Sequence, residues 1–288
     1  MKRKVWAILG IISLVALLAP FAIPQPSRLW VLSIGQGASI LYRDQTGKTF
    51  LYDGGPDDTV LTELGRILPP WRRSINVLAL SHTHADHVRG LIPVVERYAI
   101  DEVWESGALA PGNDIARWRE LITEKHITKR ILFAGTHLPL GLADLFTIHP
   151  LVQMEGKKLR DAHDANLAFQ LTTGTHRILL TGDLDERHEK SISTWCRPPG
   201  CNLKSEVLQI PHHGSATGLA PPFLELVDPK MAFICVGQNN KFKHPRPNIL
   251  QLLEEKKVPY HRTDRDGGLK ITFRAGQLSY EKTRSVPR

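Results

Sequence analysis

The stretch Ser81-His82-Thr83-His84-Ala85-Asp86-His87 places three imidazoles and a carboxylate directly after the apolar run of residues 75–80. A continuous apolar run is typical of a strand that is buried on both faces. Imidazoles and carboxylates are ligands that zinc, manganese and iron accept in proteins. His82 and His84 lie two apart in a predicted extended loop, so they can share one ion, while Asp86 and His87 can hold a second ion nearby. The stretch therefore predicts a metal centre at the end of a buried strand.

Three later passages also carry ligand-type residues. Arg177-Ile178-Leu179-Leu180-Thr181-Gly182-Asp183 is an apolar run that ends in Asp. On its own this Asp is equally well explained as a turn cap, but beside the His cluster we expect it to bridge two metals. In Gln209-Ile210-Pro211-His212-His213-Gly214-Ser215, one His can complete the second metal, and the other can contact a phosphate or protonate a leaving group. His244-Pro245, after Lys241 and Lys243, is the weakest signal and also fits a surface loop.

Short apolar runs alternate with helical patterns along the chain. Strands are predicted at residues 29–34, 39–42, 49–52, 75–80, 166–172, 177–181, 207–210, 231–236, 260–263, 268–273 and 278–281. Apolar residues at helical spacing predict helices at residues 61–68, 91–95, 115–122 and 249–253. Two groups of strands with helices outside them predict an α/β architecture of packed sheets.

Composition excludes several classes of protein. The chain has 288 residues, of which 42% are hydrophobic and 23% charged, so it is neither disordered nor collagenous, and three cysteines do not make a disulfide-dense scaffold. The formal net charge of +8 is compatible with polyanionic partners such as nucleic acid or anionic lipid.

The N-terminus predicts export. Lys2-Arg3-Lys4 precedes an apolar run at residues 5–23, which is typical of a signal peptide or a membrane anchor. The length of the run favours an uncleaved anchor, and Pro20 interrupts the cleavage pattern. Residues 1–26 are therefore predicted to be a signal peptide or membrane anchor, and residues 27–288 a single hydrolase domain. The basic terminus would stay in the cytoplasm, so the domain would face the periplasm or the exterior, or be secreted.

The cysteines agree with this location. Cys196 and Cys201 flank the turn sequence Arg-Pro-Pro-Gly and could form a loop disulfide in an oxidising compartment. A metal-binding pair is the alternative, but its spacing and the lack of a second pair disfavour it. Cys235, in an apolar run, is predicted to be a buried thiol.

Taken in order, these passages resemble the metallo-β-lactamase superfamily, whose signature matches His82-x-His84-x-Asp86-His87. More narrowly, the chain resembles the metallo-hydrolase domain of ComEC-type competence proteins. The segments that carry this resemblance are Ile34-Gly35-Gln36-Gly37, Tyr52-Asp53-Gly54-Gly55, Leu180-Thr181-Gly182-Asp183, Pro211-His212-His213-Gly214-Ser215, Val236-Gly237-Gln238-Asn239, His244-Pro245 and Arg262-Thr263-Asp264. It implies an αββα sandwich, preceded here by one N-terminal hydrophobic helix, with two divalent ions, Zn or Mn, at the shared edge of the sheets.

The resemblance also implies a ligand set. By it, His82 and His84 hold the first metal. Asp86, His87 and His213 hold the second.

The remaining roles follow from the same resemblance. Asp183 bridges the two metals, and Asp53 orients a ligand histidine by a hydrogen bond. His212 and His244 face the substrate. Catalysis is assigned to Asp86, His212 and His244.

The chain departs from the family pattern at two places. The family usually has an acidic residue after Gly35-Gln36-Gly37, where this chain has Ala38. An Asn-x-x-Ser pattern of the family corresponds here to His163-Asp164-Ala165-Asn166, in which His163 is either an extra ligand of the first metal or a loop residue. The channel segments of full competence proteins are not found, so we expect a detached hydrolase domain, for which DNA uptake does not follow.

The leading hypothesis is a metal-dependent phosphodiesterase or nuclease that acts on DNA outside the cytoplasmic membrane, in competence or DNA processing, with a competence channel as a candidate partner. Lys241, Lys243 and Arg246 suit a phosphate backbone, although a solvated loop explains them equally well. No aromatic stacking motif for single strands is recognisable. One alternative is an extracellular phosphoesterase acting on cell-envelope polymers or phosphorylcholine. A second is a non-catalytic DNA-binding or scaffold protein that retains the fold.

Overall fold

Two β-sheets pack face to face, with helices on both outer surfaces. The computed structural model describes residues 25–283. The predicted N-terminal hydrophobic helix lies outside these residues. Across residues 25–283, no helix has the length and apolar character needed to cross a membrane.

The first sheet has eight strands. In the order in which they pair, they are β15 (Gln277–Thr283), β14 (Gly268–Arg274), β1 (Ser27–Val31), β2 (Ile40–Arg43), β3 (Thr49–Tyr52), β4 (Ser74–Ala79), β5 (Ala99–Glu105) and β6 (Thr128–Ile131). The second sheet has seven strands. They are β13 (Tyr260–Arg262), β12 (Met231–Ile234), β11 (Val207–Gln209), β10 (His176–Leu180), β9 (Ala168–Thr173), β8 (Ala143–His149) and β7 (His137–Leu140).

The helices are short and lie between the strands in the chain. The α-helices are α1 (Thr59–Ile67), α2 (Ala85–Val88), α3 (Leu91–Arg97), α4 (Asn113–Glu124), α5 (Glu186–Trp195), α6 (Pro221–Val227), α7 (Pro247–Glu255) and α8 (Thr263–Asp266). Two 3₁₀ turns, Ala162–Ala165 and Pro211–Gly214, also carry residues of the predicted site.

Three apolar clusters hold the layers together. The middle cluster joins the facing sides of the two sheets and contains Phe50, Tyr52, Trp104 and Phe169. The rings of Phe50 and Phe169, from different sheets, meet edge to face with centroids 5.8 Å apart. The outer clusters pack α1, α3 and α4 on the first sheet, and α5, α6 and α7 on the second. The predicted αββα sandwich is confirmed.

Every strand predicted from the sequence is present, with ends shifted by up to three residues. The sequence pattern did not predict β5, β6, β7, β8, α2, α5, α6 and α8, and α2 contains Asp86 and His87, for which a loop was expected. The sequence pattern also gave no partner for the last hairpin. In the structure its first strand, β14, pairs with β1 in an antiparallel register that sets Leu29 opposite Ile271. Cys196 and Cys201 form a disulfide, and Cys235 is a buried free thiol, as expected.

The sheet topology brings the motifs to one edge. β3 and β4 are parallel neighbours in the first sheet, and β10 and β11 are parallel neighbours in the second. Each of these four strands is followed directly by one of the predicted motifs. Since the carboxyl ends of parallel strands meet at the same edge of a sheet, the motifs converge there.

Candidate metal centre

Asp53 organises the loop that follows β4. This residue is fully buried and has a left-handed backbone with φ of 61°. Its Oδ1 accepts a hydrogen bond from the Ser81 amide at 2.7 Å, and its Oδ2 lies 2.7 Å from His87 Nδ1. The carboxylate therefore fixes both the start of the loop and the ring of His87.

A close approach of two glycines positions α2, which carries Asp86 and His87. The Gly54 amide donates to the His87 carbonyl at 2.8 Å, and the Gly90 amide donates to the Gly55 carbonyl at 3.0 Å. A Cβ on Gly90 would lie 1.8 Å from the Gly54 oxygen, so a side chain there would push the two segments apart.

Two buried amide side chains hold the turn that presents Asp183. The Asn166 side chain donates to the Thr181 carbonyl at 2.8 Å and accepts from the Asp183 amide at 2.9 Å. Gln209 Oε1 accepts from the amides of Thr181 and Gly182, at 3.0 Å and 3.2 Å. Neither Asn166 nor Gln209 stands out in the sequence as a functional residue. No spacing pattern marks them, because each simply satisfies the backbone of a turn.

The 3₁₀ turn Pro211–Gly214 has an unusual backbone. His212 and His213 have φ of 50° and 54°, in the left-handed region that bulky residues rarely adopt. His213 Nδ1 lies 2.7 Å from the Cys235 carbonyl, to which it donates. Such strain is often found at functional sites, where it aims particular side chains.

These segments place Asp183 at the centre of a ring of imidazoles. Its Oδ2 lies 3.4 Å from Nε2 of both His87 and His213, and 3.9 Å from Nε2 of both His82 and His212. The same Nε2 atom of His213 also lies 3.4 Å from Asp86 Oδ2. One buried carboxylate therefore lies close to the histidines of two separate motifs.

The possible ligand atoms fall into groups that lie within 4.8 Å of one another. One group contains His82, His84 and His163, and another contains Asp86, His87 and His213. A third joins Asp183 to His82 and His87, so this carboxylate adjoins members of both other groups.

His163 thus lies among the other site residues, although it stands on the 3₁₀ turn Ala162–Ala165 between strands. Its ring centroid is 5.0 Å from that of His82 and 4.7 Å from that of His84. The sequence left it open as a ligand or a loop residue, and the structure brings its imidazole to the first group.

The hydrogen bonds of the histidines fit bound metal. The buried Nε2 atoms of His82, His87, His163 and His213 have no hydrogen-bond partner within residues 25–283. A metal-ligating histidine typically presents one nitrogen to the ion while the other bonds to a carboxylate, carbonyl or hydroxyl.

That second contact is present for each ring. His87 Nδ1 pairs with Asp53 and His163 Nδ1 with Asp161, both at 2.7 Å. His213 uses the Cys235 carbonyl, and His82 lies 3.0 Å from the hydroxyl of Ser81. Imidazoles with two carboxylates form a donor set that suits Zn or Mn.

The charges in the site are strongly coupled. Burial by itself would raise the pKa of Asp183, but the adjoining His213 and His87 hold that pKa well below its usual value. Burial lowers the pKa of His82 well below its ordinary value, and the charge of His87 lowers it further. Asp183 is therefore an anion, and His82 is a neutral imidazole that can bind a cation.

The open side of the site is formed by His212 and His244. The His212 side chain is 28% exposed, against 4% for Asp183, and its ring centroid lies 6.1 Å from that of His244. Burial, followed by the charges of His213 and His212, lowers the pKa of His244 to about 4. The partly exposed His212 ring thus borders the site beside His244.

Comparisons with known proteins agree with this geometry. Residues 32–238 match the profile of the metallo-beta-lactamase superfamily. ComE operon protein 3 of Bacillus subtilis (strain 168) is 31% identical over 203 residues, which cover 70% of this chain. Competence protein ComA of Neisseria gonorrhoeae is 27% identical over 284 residues, which cover 97% of this chain. The resemblance to ComEC-type proteins is confirmed.

This chain spans only 25% and 37% of the lengths of those two relatives. Among solved structures, Igni18, described as a metallo hydrolase from Ignicoccus hospitalis, is similar with a TM-score of 0.56 and 12% identity. The match covers 86% of this chain and 100% of that one. At this identity the likeness concerns the fold alone.

Proposed function

We propose that this chain, which belongs to the metallo-β-lactamase superfamily, is a metal-dependent hydrolase that cleaves phosphodiester bonds in DNA. The observation that carries the proposal is the position of Asp183. Its carboxylate lies between two groups of ligand atoms, and the unpartnered Nε2 atoms of His87 and His213 lie 3.4 Å from it. Such an arrangement is typical of a carboxylate shared by two cations.

In this proposal each group holds one divalent ion, Zn or Mn. His82, His84 and His163 would hold the first ion, Asp86, His87 and His213 would hold the second, and Asp183 would adjoin both. When bound, the ions would supply Lewis acidity and a water-derived nucleophile at neutral pH. His163 enters this set because its Asp161 partner orients it as Asp53 orients His87.

The residues of the open side would act on the phosphate. His212 and His244 can each donate an N–H hydrogen bond to a phosphate oxygen. Since the pKa of His244 is about 4, its ring is neutral at pH 7 before substrate binds. A phosphate beside it favours the protonated ring, which can then give a proton to the leaving oxygen.

DNA is proposed as the substrate for two reasons. The curated relatives include a protein named for competence. Lys241, Lys243 and Arg246 adjoin His244 in the chain, and cations near a cleavage site suit a phosphate backbone. Action outside the cytoplasmic membrane, attachment through residues 1–26 and a competence channel as partner complete the proposal.

The test is hydrolysis by the full chain, purified without chelator and supplied with Mn²⁺ or Zn²⁺. Labelled DNA, bis(p-nitrophenyl) phosphate and phosphorylcholine would be compared. Asp183→Asn removes the shared anion and is expected to lower DNA cleavage by more than a hundredfold. Asp228→Asn, at an exposed carboxylate, serves as the matched control.

Each outcome selects one function. Cleavage of DNA that needs metal and Asp183 supports the proposal. If phosphorylcholine is hydrolysed and DNA is left intact, the extracellular phosphoesterase becomes the better reading of the function. Metal-independent DNA binding without any hydrolysis would favour a scaffold.

A further inference from the structure

The aromatic surface of the site continues beyond His244 to an exposed ring. Phe242 is 47% exposed. Its ring stacks on that of His244, with centroids 5.6 Å apart and planes inclined by 23°. His244 in turn lies beside His212 on the open side of the site. A row of three rings therefore leads from the candidate metal centre towards solvent, with Phe242 and His244 stacked and His212 at 79° to His244.

The loop that carries Phe242 is held in place. The Asn240 side chain donates to the carbonyls of Gly237 and His244, at 3.0 Å and 2.7 Å, and accepts from the His244 amide at 2.9 Å. The Arg246 amide donates to the Gly214 carbonyl at 2.8 Å, which ties the loop to the turn of His213. Phe242 is thus exposed at a defined position.

One cation lies over this ring and two more are close to it in the chain. Lys241, Lys243 and Arg246 form no ion pair with any residue in the described range 25–283. Lys241 Nζ lies 5.1 Å from the centroid of the Phe242 ring. An ammonium group over an exposed ring is readily exchanged for water, so the ring face can be vacated while Lys241 pairs with a phosphate.

We propose that Phe242 is a stacking platform for an unpaired nucleobase beside the scissile phosphodiester, so that the preferred substrate is single-stranded nucleic acid. The inference rests on the proposed function and narrows its substrate class. An exposed aromatic ring next to unpaired cations combines the two elements by which proteins bind single strands: base stacking and backbone charge. Bases in a duplex are already stacked and paired, so they cannot use this surface.

The platform also implies little choice among bases. Stacking tolerates any base, because every base presents a π-face. Phe242 has no polar group with which to read a base edge. Cleavage should therefore show a preference for single strands without a strong sequence preference.

The experiment compares two ligands of the full chain: a fluorescent oligothymidylate and an abasic strand of equal length and charge. Binding is followed by anisotropy with Ca²⁺ as the added cation, and the strands are checked for integrity. The normal protein should bind the oligothymidylate about 5- to 150-fold more tightly, the factor expected for stacking of one base. Phe242→Ala should abolish this ratio while still binding the abasic strand.

Other variants separate stacking from folding. Phe242→Trp should restore the ratio and Phe242→Leu should not, since leucine is apolar but has no flat ring. Tyr280→Ala, at an exposed aromatic residue of β15, should leave the ratio unchanged. Duplex binding should not depend on Phe242.

Two results would overturn the platform. In one, Phe242→Ala keeps the preference for the base-containing strand. In the other, the normal protein binds both strands equally. In either case, metal-dependent DNA cleavage would still stand as the proposed function. If the normal protein showed no metal-dependent DNA cleavage, both the proposed function and the stacking platform would be rejected.

Discussion

Asp53 shows how a single buried carboxylate orients a candidate metal ligand, the ring of His87. It contacts the Ser81 amide and the His87 ring at 2.7 Å each, and its own backbone is left-handed. Burial raises the pKa of Asp53, while the adjacent His87 opposes the shift. A carboxylate in this position makes the ring nitrogen on the other side of His87 a better ligand.

Asp53→Asn is therefore expected to weaken metal binding by about 10- to 100-fold, because the amide keeps the volume but loses the anionic acceptor. Competition with a chelating dye measures this affinity. Asp228→Asn, remote and exposed, should match the normal protein. An unchanged affinity in Asp53→Asn would show that its contact with His87 does not tune the site.

His163 gives a second prediction at the residue scale. His163→Ala should lower activity at limiting metal by at least about tenfold, and added Mn²⁺ should restore part of the loss, since one ligand is missing from the first group. His137→Ala is the matched control, because that ring is exposed on β7. Full activity of His163→Ala at limiting metal would show that His163 is a loop residue and not a metal ligand.

At the scale of elements, the turn between β10 and α5 is closely packed at Gly182. Gly182 has φ of 54°, and a Cβ there would lie 2.3 Å from Asn166 Oδ1 and 2.8 Å from the Tyr52 hydroxyl. Gly174, in the turn between β9 and β10, has a similar φ of 58° but nothing within 4 Å of such a Cβ. Comparing alanine substitutions at Gly182 and Gly174 therefore separates the cost of crowding from the cost of the left-handed backbone.

Gly182→Ala should therefore lower the free energy of unfolding by about 1–3 kcal/mol more than Gly174→Ala does. Urea denaturation of the two variants measures the difference, and the backbone cost of a left-handed alanine is common to both. Equal destabilisation would mean that Asn166 and Tyr52 can move aside without loss.

The elements also show what the sequence could predict. The His cluster and its companions were found because each follows an apolar strand. In contrast, β5 was missed because its charged residues Asp101, Glu102 and Glu105 hide the pattern of a strand. Glu105 is nevertheless buried, where it accepts a hydrogen bond from Trp118 Nε1 at 3.1 Å. Only tertiary contacts explain such a residue.

At the scale of the whole molecule, the site joins the two sheets. Asp53 and the His82–His87 loop come from the first sheet, and Asp183 and His213 come from the second. On the second sheet, Glu189 of α5 holds the chain that follows the His213 turn, because its Oε2 accepts a hydrogen bond from the Ala220 amide at 2.7 Å. Glu189 Oε1 has no hydrogen-bond partner among residues 25–283.

Burial raises the pKa of Glu189 from 4.5 to about 8, so folding favours the protonated carboxyl. Its contribution to stability is complete below pH 4.5 and is lost as the pH rises through 8. Glu189→Gln should remove this dependence and gain stability relative to the normal protein across that range, on the order of a few kcal/mol. Chemical denaturation at several pH values tests this.

Glu255→Gln is the control for that series, because Glu255 is exposed on α7 and is not among the charges that shift the pKa of Glu189. It should follow the pH profile of the normal protein. If the stability of Glu189→Gln and of the normal protein changed with pH in the same way, Glu189 would be ionised in the folded protein between pH 4.5 and 8.

The central claim is that the two groups of ligands form a dinuclear centre around Asp183. The most direct measurement is the number of divalent ions per chain, determined by mass spectrometry of the metals after dialysis of the full chain against Zn²⁺ or Mn²⁺. The account predicts two ions per chain in the normal protein and a loss of bound metal in Asp183→Asn. One ion or none in the normal protein, or two ions retained unchanged in Asp183→Asn, would contradict it.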